Sequence, residues 1–299
     1  MVEKLSFEDQ ISRNKMKSFF LMAIIFVFFL IIGYIVSIIL NPSYFFIIMI
    51  LSIVISLIYI WAGYYNSDKI ALASVKAKPA SHTEHRMLYH TVENMALASG
   101  LPVPRAYVME SQEINAFASG RDPQHAVICV TTGALSKLNK EELEGVIAHE
   151  MAHIANFDIR FMTLTAVLVG MIAIAAEVFL RSLWFANTDR DSRANIILIV
   201  LGILFAILAP ILAQLVSLAI SRRREYVADA TGAKFTRYPR GLANALRKIK
   251  AEHVPYADTK KYPKAVAPLF ISDPFKKKVQ NLFSTHPPVD ERIRRLDAM

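Results

Sequence analysis

The residues His149-Glu150-Met151-Ala152-His153 carry the most explicit chemistry in this chain. On a helix, positions i and i+4 lie on one face a turn apart, so the imidazoles of His149 and His153 can grip one metal ion. Glu150 then stands beside the first ligand, where a general base for an activated water belongs. The bland alternative is a core helix with two satisfied histidines. Burying His, Glu and His together without a metal would be costly.

The surrounding stretch, EELEGVIAHEMAHIANFD, has to be helical for this to work, and its residues predict a helix. Lys140, Glu141, Glu142 and Glu144 are good helix formers, and Leu143, Val146, Ile147 and Ile154 recur at three- and four-residue steps. A catalytic zinc takes three protein ligands and leaves a fourth position for water. No histidine stands six residues beyond His153, where Ile159 falls, so the third ligand must come from elsewhere. Cys129 is the single cysteine, which excludes an intrachain disulfide and a cysteine cluster. It lies in the apolar run HAVICV and reads as a small buried hydrophobe. The best remaining candidate is Glu225, in SRRREYVADA. Asp229 lies one turn further on and could accept a hydrogen bond from the far nitrogen of a ligating histidine, fixing its tautomer. The competing role for Glu225 is an ion pair with the arginines of its own helix.

The elements that must position these groups belong to a membrane protein. The chain has 299 residues, is 54% hydrophobic and has a mean hydropathy of +0.36. That is too apolar for an ordinary soluble protein. The net charge of +9 would suit nucleic acid, but no nucleic-acid signature accompanies it. With apolar spans present, the excess is assigned to cytoplasmic loops, so the bilayer and not nucleic acid is the expected partner.

Phe19 to Leu40 and Tyr44 to Tyr65 are uncharged runs, each long enough to cross a bilayer as a helix, separated by Asn41-Pro42-Ser43. The first is too long for a cleaved signal peptide, lacks a small-residue cleavage site, and is followed at once by a second span. Lys4, Arg13, Lys15 and Lys17 place the amino terminus in the cytoplasm, and the hairpin returns the chain there. Residues 1–65 are thus expected to form a cytoplasmic segment and a transmembrane hairpin. Residues 66–160 form a cytoplasmic α/β part holding the metal helix. Within it, His82 to Ser99 predicts a helix stopped by Gly100, and Ala106–Met109, Ile114–Ala118 and Ala126–Thr131 predict short strands. The strand in INAFASG is either ordinary or a sheet edge that holds an extended peptide by strand addition.

Residues 161–220 form a second apolar hairpin, from Phe161 to Leu180 and from Ala194 to Ile220. It either spans the bilayer or is a re-entrant or partly soluble hairpin, and Glu177 falls near its boundary. Residues 221–299 form a polar helical part, with Gly232 and Pro239 as breakers and a basic terminal helix, Val289–Leu296. Lys276–Lys278 and Arg292–Arg295 are expected on solvated faces or against anionic lipid.

INAFASG, VIAHEMAHIANFD, SRRREYVADA and THPP occur in this order, with two apolar spans before them and two between. In this the chain resembles the HtpX-type membrane zinc metalloproteases, relatives of the CAAX prenyl endopeptidases. The resemblance covers nearly all of the chain from residue 19. It implies a mainly α fold with a small β-sheet and about four transmembrane helices. It implies one zinc held by His149, His153 and Glu225, with Glu150 as catalytic base and Asp229 behind a ligand. Asn115, Ala116, Phe117 and Ala118 would line the substrate cleft, and His286 of THPP would approach it as a transition-state donor. The implied setting is quality control and stress response, acting on misfolded membrane proteins or unfolded polypeptides. The implied location is the cytoplasmic face of the bacterial inner membrane. The short loop between the third and fourth runs and Val227, where some members carry a polar residue, depart from the pattern and bear on substrate range.

The chemistry expected is gluzincin-like: Glu150 takes a proton from water and delivers it to the leaving amine, with His286 or Tyr226 helping the oxyanion. Two other readings are a membrane scaffold braced by its metal and a prenyl-peptide protease of narrow specificity. A structural site needs neither a glutamate beside the first histidine nor an open fourth position. A prenyl-peptide chamber would need more spans than four.

Overall fold

The first apolar run is the inner part of one long helix. In a computed structural model of the chain, residues 7–40, 42–185, 199–200, 202–204, 207, 222–252, 269–271 and 287–299 are described. Helix α1 covers Phe7–Leu40, so its polar first turns, expected as a separate segment, are helical as well. A short 3-10 turn, Pro42–Tyr44, leads into α2, Phe45–Tyr65. Among the described residues, Ile11–Ile38 and Phe45–Tyr65 are long and apolar enough to cross a membrane. Proline at the turn ends the helical ladder where the sequence carries no charge to stop it.

Helix α3, Ser67–Ser74, leads to a two-residue strand β1, Lys78–Pro79, which the sequence pattern did not reveal. Helix α4 covers Arg86–Ser99 and ends at Gly100, whose φ of 71° is the left-handed cap that glycine accepts without strain. It begins later than expected because Ser81 to His85 form a turn, in which the Ser81 N–H donates to His85 Nδ1 at 3.0 Å. Three further strands follow: β2 (Arg105–Met109), β3 (Ala116–Ser119) and β4 (Val127–Thr131). The sheet order is β1-β2-β4-β3. β2 and β4 run parallel with Arg105 opposite Val127, and the other two pairs are antiparallel. β3 is therefore a terminal strand of a small mixed sheet.

Helix α5 (Thr132–Lys137) precedes α6 (Lys140–Ala155), the helix that carries the two histidines. Phe157, at φ 58°, turns the chain into α7 (Asp158–Phe185), which contains the third apolar run. Most of the fourth run lies outside the described residues. Helices α8 (Arg222–Thr236), α9 (Pro239–Ala251) and α10 (Val289–Asp297) complete the described chain. Among the described residues the architecture is mainly helical with one small mixed sheet.

Gly232 does not break its helix. It sits inside α8, where a Cβ would stand 3.0 Å from the His149 N atom, so the glycine lets α8 lie against α6. Gly145 does the same for α9, since a Cβ there would meet Leu242 N at 2.4 Å. Pro239 is the first residue of α9, where its missing N–H costs nothing. The main apolar core forms where α4, α6, α8 and α9 close on one face of the sheet, around Leu88, Ile128, Leu143, Ile147, Met151 and Leu246.

Candidate active site

α6 starts on a reciprocal cap. Asn139 Oδ1 accepts from the Glu142 N–H, and Glu142 Oε2 accepts from the Asn139 N–H, each at 2.8 Å. Lys248 of α9 donates to the same carboxylate at 2.6 Å. With its start fixed and its far face buried under α8 and α9, α6 holds His149 and His153 inside the protein, at 0% and 4% exposure.

α8 brings Glu225 to them. One ligand atom from each of His149, His153 and Glu225 falls within 4.8 Å of the others. The two Nε2 atoms are 3.2 Å apart, and each is 3.7 Å from a Glu225 carboxylate oxygen. Behind each ring stands another carboxylate. His149 Nδ1 is 2.9 Å from Asp229 Oδ1, and His153 Nδ1 is 3.1 Å from Asp158 Oδ2. Each Nδ1 is therefore the N–H end of its ring, and the two Nε2 atoms face one another.

Two such nitrogens require a positive charge between them. Burial alone would push His153 down, but the Asp158 hydrogen bond and the charges of Glu225 and Glu150 raise it to about 9. Those carboxylates favour a positive charge at the same place. Burial pushes His149 below its ordinary value, with Asp229 opposing. A divalent cation answers the demand better: two nitrogens bound at about 2.0–2.1 Å to a tetrahedral ion lie about 3.3 Å apart. The donor set of two imidazoles and one carboxylate, each imidazole backed by an acid, thus fits a metal.

Glu150 is 2% exposed. Burial raises it to about 7, assisted by Glu225 and opposed by His153 and by a hydrogen bond from the Ala118 N–H. A carboxylate near neutrality can both accept and return a proton.

Three partners of the site were not singled out in the sequence. Asp158 stands at the first position of α7, one turn beyond His153, within the quoted stretch itself. Arg292 was expected on a solvated or lipid-facing surface and is instead 1% exposed. Its Nε and Nη2 clamp Asp229 at 2.8 and 2.7 Å, and its Nη1 lies 3.7 Å from Glu225 Oε2. Burial raises Asp229, but Arg292 overcomes this and holds it at about 2. The signal for Arg292 was its place on the apolar face of its helix, between Val289 and Leu296. Asn14, on the amino-terminal helix, donates to Asp158 Oδ1 at 2.7 Å and to Asn156 O at 3.0 Å. No local pattern could have announced that contact.

β3 runs beside α6. Asn115, Ala116, Phe117 and Ala118 are all buried. Phe117 packs edge-on against Phe270 at 5.3 Å in a separate apolar cluster, so its side chain belongs to the core behind the sheet. Ala116 and Ala118 face α6. Ala116 O accepts from the Ile271 N–H at 2.9 Å, and Arg292 Nη1 donates to Ile271 O at 3.3 Å. Tyr226 lines a surface cavity of about 490 Å³ and lies under the Arg295 guanidinium at 3.8 Å. His286 lies outside the described residues.

Residues 82–299 match a profile described as peptidase family M48. A "Protease HtpX homolog" of Thermoanaerobacter pseudethanolicus is 49% identical over 247 residues, 81% of this chain and 81% of the relative. One of Dictyoglomus turgidum is 42% identical over 302 residues, 100% of this chain and 96% of the relative. Among solved structures, the crystal structure of S. mikatae Ste24p aligns at a TM-score of 0.48 with 20% identity, covering 96% of this chain and 66% of that one.

Proposed function

The chain belongs to peptidase family M48 and is a membrane metalloprotease, and from that premise we propose that it is a zinc endopeptidase. His149, His153 and Glu225 hold the metal. The observation that carries this is the pair of inward-facing Nε2 atoms, 3.2 Å apart, each with its Nδ1 tied to a carboxylate. Bound there, zinc would lower the pKa of a water and polarise the scissile carbonyl.

The chain's own residues do the rest. Asp229 and Asp158 keep the imidazoles in the tautomer that turns Nε2 inward, and Arg292 keeps Asp229 charged and in place. Glu150, beside His149 and steadied by the Ala118 N–H, takes the proton of the attacking water and returns it to the leaving amine. β3, from Asn115 to Ala118, is assigned to the wall of the cleft that orders the peptide, with its Ala118 N–H given to Glu150 and its Ala116 O to the Ile271 N–H. His286 is assigned the oxyanion, since Tyr226 is held under Arg295.

α7 leaves the site directly into the third apolar run, and α8 begins where the fourth ends. The third and fourth runs complete a four-span arrangement that sets the site at the cytoplasmic surface of the bacterial inner membrane. Its substrates are misfolded membrane proteins and unfolded polypeptides, as in quality control under stress.

The test compares detergent-purified wild type with Glu150→Gln on an unfolded model protein, with bound metal measured in both. Cleavage by wild type alone, with equal zinc in the two, supports the assignment. Cleavage by both would place the activity in another residue or a contaminant. Glu225→Ala should lose the metal, and a fully metallated Glu225→Ala would remove Glu225 from the ligand set.

A further inference from the structure

We propose that the groove between the inner ends of α1 and α2 binds an anionic glycerophospholipid of the surrounding leaflet. The groove is a cavity of about 760 Å³ walled by α1, α2 and the start of α7. Phe19 and Met22 of α1 face Ile58 and Trp61 of α2 across it, and Lys15 and Arg160 stand at its rim. Phe19, Ile58 and Trp61 are 64%, 60% and 62% exposed, which in a membrane means contact with acyl chains.

The rim supplies the choice of headgroup. Lys15 is exposed and lies over the Phe157 ring at 4.8 Å. Arg160 gives its Nε–H to Arg121 O at 2.7 Å, and its guanidinium lies 5.8 Å from the Tyr64 ring and 5.4 Å from that of Phe157. Among the described residues neither cation meets a carboxylate. Arg121 next to them does, with Asp122 Oδ2 3.6 Å from its Nε. Two cations that meet no carboxylate among the described residues, beside a greasy slot, describe a phosphate and its chain. The guanidinium's remaining N–H groups suit phosphate oxygens, and the ammonium adds a point charge.

The depths agree as well. Lys15, Trp61 and Arg160 come from the same-side ends of three helices, where charged and aromatic interfacial anchors sit. Phe19 and Met22 lie one and two turns further along α1, about 6 and 10 Å deeper. That is the reach of the upper acyl segment below its headgroup. A zwitterionic lipid offers the same phosphate but brings an ammonium that the two cations repel, so the site selects net negative charge.

The two tryptophans of the chain are Trp61 and Trp184, which makes the groove readable by fluorescence. The full-length chain carrying Glu150→Gln and Trp184→Phe is placed in mixed bilayers in which either phosphatidylglycerol or phosphatidylcholine bears brominated acyl chains. Brominated phosphatidylglycerol should quench Trp61 more strongly at equal mole fraction, with a preference of about fivefold for each cation. Lys15→Gln with Arg160→Gln should bring the two quenchers to parity, Lys15→Arg should keep the preference, and added salt should reduce it. Equal quenching in the parent protein would overturn the proposal, leaving ordinary boundary lipid. So would quenching by neither lipid, which would mean that the groove is covered by the run 194–220 or by another chain.

Discussion

Arg292→Met should destabilise the fold severely, although Arg292 lies in a basic terminal helix. The guanidinium makes two hydrogen bonds to Asp229, at 2.8 and 2.7 Å, and one to Ile271 O at 3.3 Å. Methionine fills similar space but leaves Asp229, 3% exposed, as a buried carboxylate without its cation. Breaking one half of a buried pair costs about 3–5 kcal/mol. For a chain somewhat above 150–250 residues each kcal/mol moves the Tm by about 2–4 °C, so the expected fall is roughly 6–20 °C. The assay is thermal unfolding in detergent, with Glu150→Gln throughout to prevent self-digestion. Arg294→Met on the same helix is the control. Its side chain is 77% exposed, and surface changes stay within about 0.5 kcal/mol. Asp229→Asn added to Arg292→Met should recover part of the loss, because the stranded charge is gone while Oδ1 still accepts from His149. If Arg292→Met shifts the Tm no more than Arg294→Met, the buried-clamp argument fails.

Asn14→Ala should raise the metal dissociation constant about tenfold, because Asp158 loses a 2.7 Å hydrogen bond behind His153. Competition with a chelator measures this, and an unchanged constant would refute any link between the first helix and the metal. Gly145→Ala should cost about 1–3 kcal/mol, since its Cβ would lie 2.4 Å from Leu242 N and force α6 and α9 apart. A wild-type melting curve for that variant would contradict the packing. Cys129 is fully buried, and burial pushes its thiol above the ordinary range. Iodoacetamide should therefore label it slowly in the native protein and rapidly in denaturant. Fast native labelling would show that β4 is not where the structure places it.

Read as a string, the chain announced whatever depends on neighbours in sequence. His149, Glu150 and His153 share a helix, and a period of 3.6 residues sets their face whatever the rest of the fold does. The two amino-terminal helices long and apolar enough to cross a membrane follow from uninterrupted apolar length. Gly100 as a helix stop follows from the φ it alone adopts cheaply. Local patterns failed where the deciding contact lay far away. Gly232 looked like a breaker because its closeness to His149 is invisible in sequence. Arg292 looked like surface because basic helices usually are, and only the buried Asp229 makes it worth desolvating.

The division at the site has the same origin. Sequence alone determined that His149 and His153 share a helical face with Glu150 between them, that an acidic candidate follows the fourth apolar run, and that the setting is a membrane. The tertiary structure decided that Glu225 arrives 3.7 Å from both histidines, that Asp158 and Asp229 stand behind them, and that Asn14 and Arg292 hold those acids. It also decided that β3 ends the sheet and lies beside Glu150. A ligand's spacing along one helix is set by bond geometry over a few residues. The meeting of α1, α6, α8 and α10 around the cluster of His149, His153 and Glu225 is set by burial and charge satisfied together across the whole fold, and no window of sequence contains that sum.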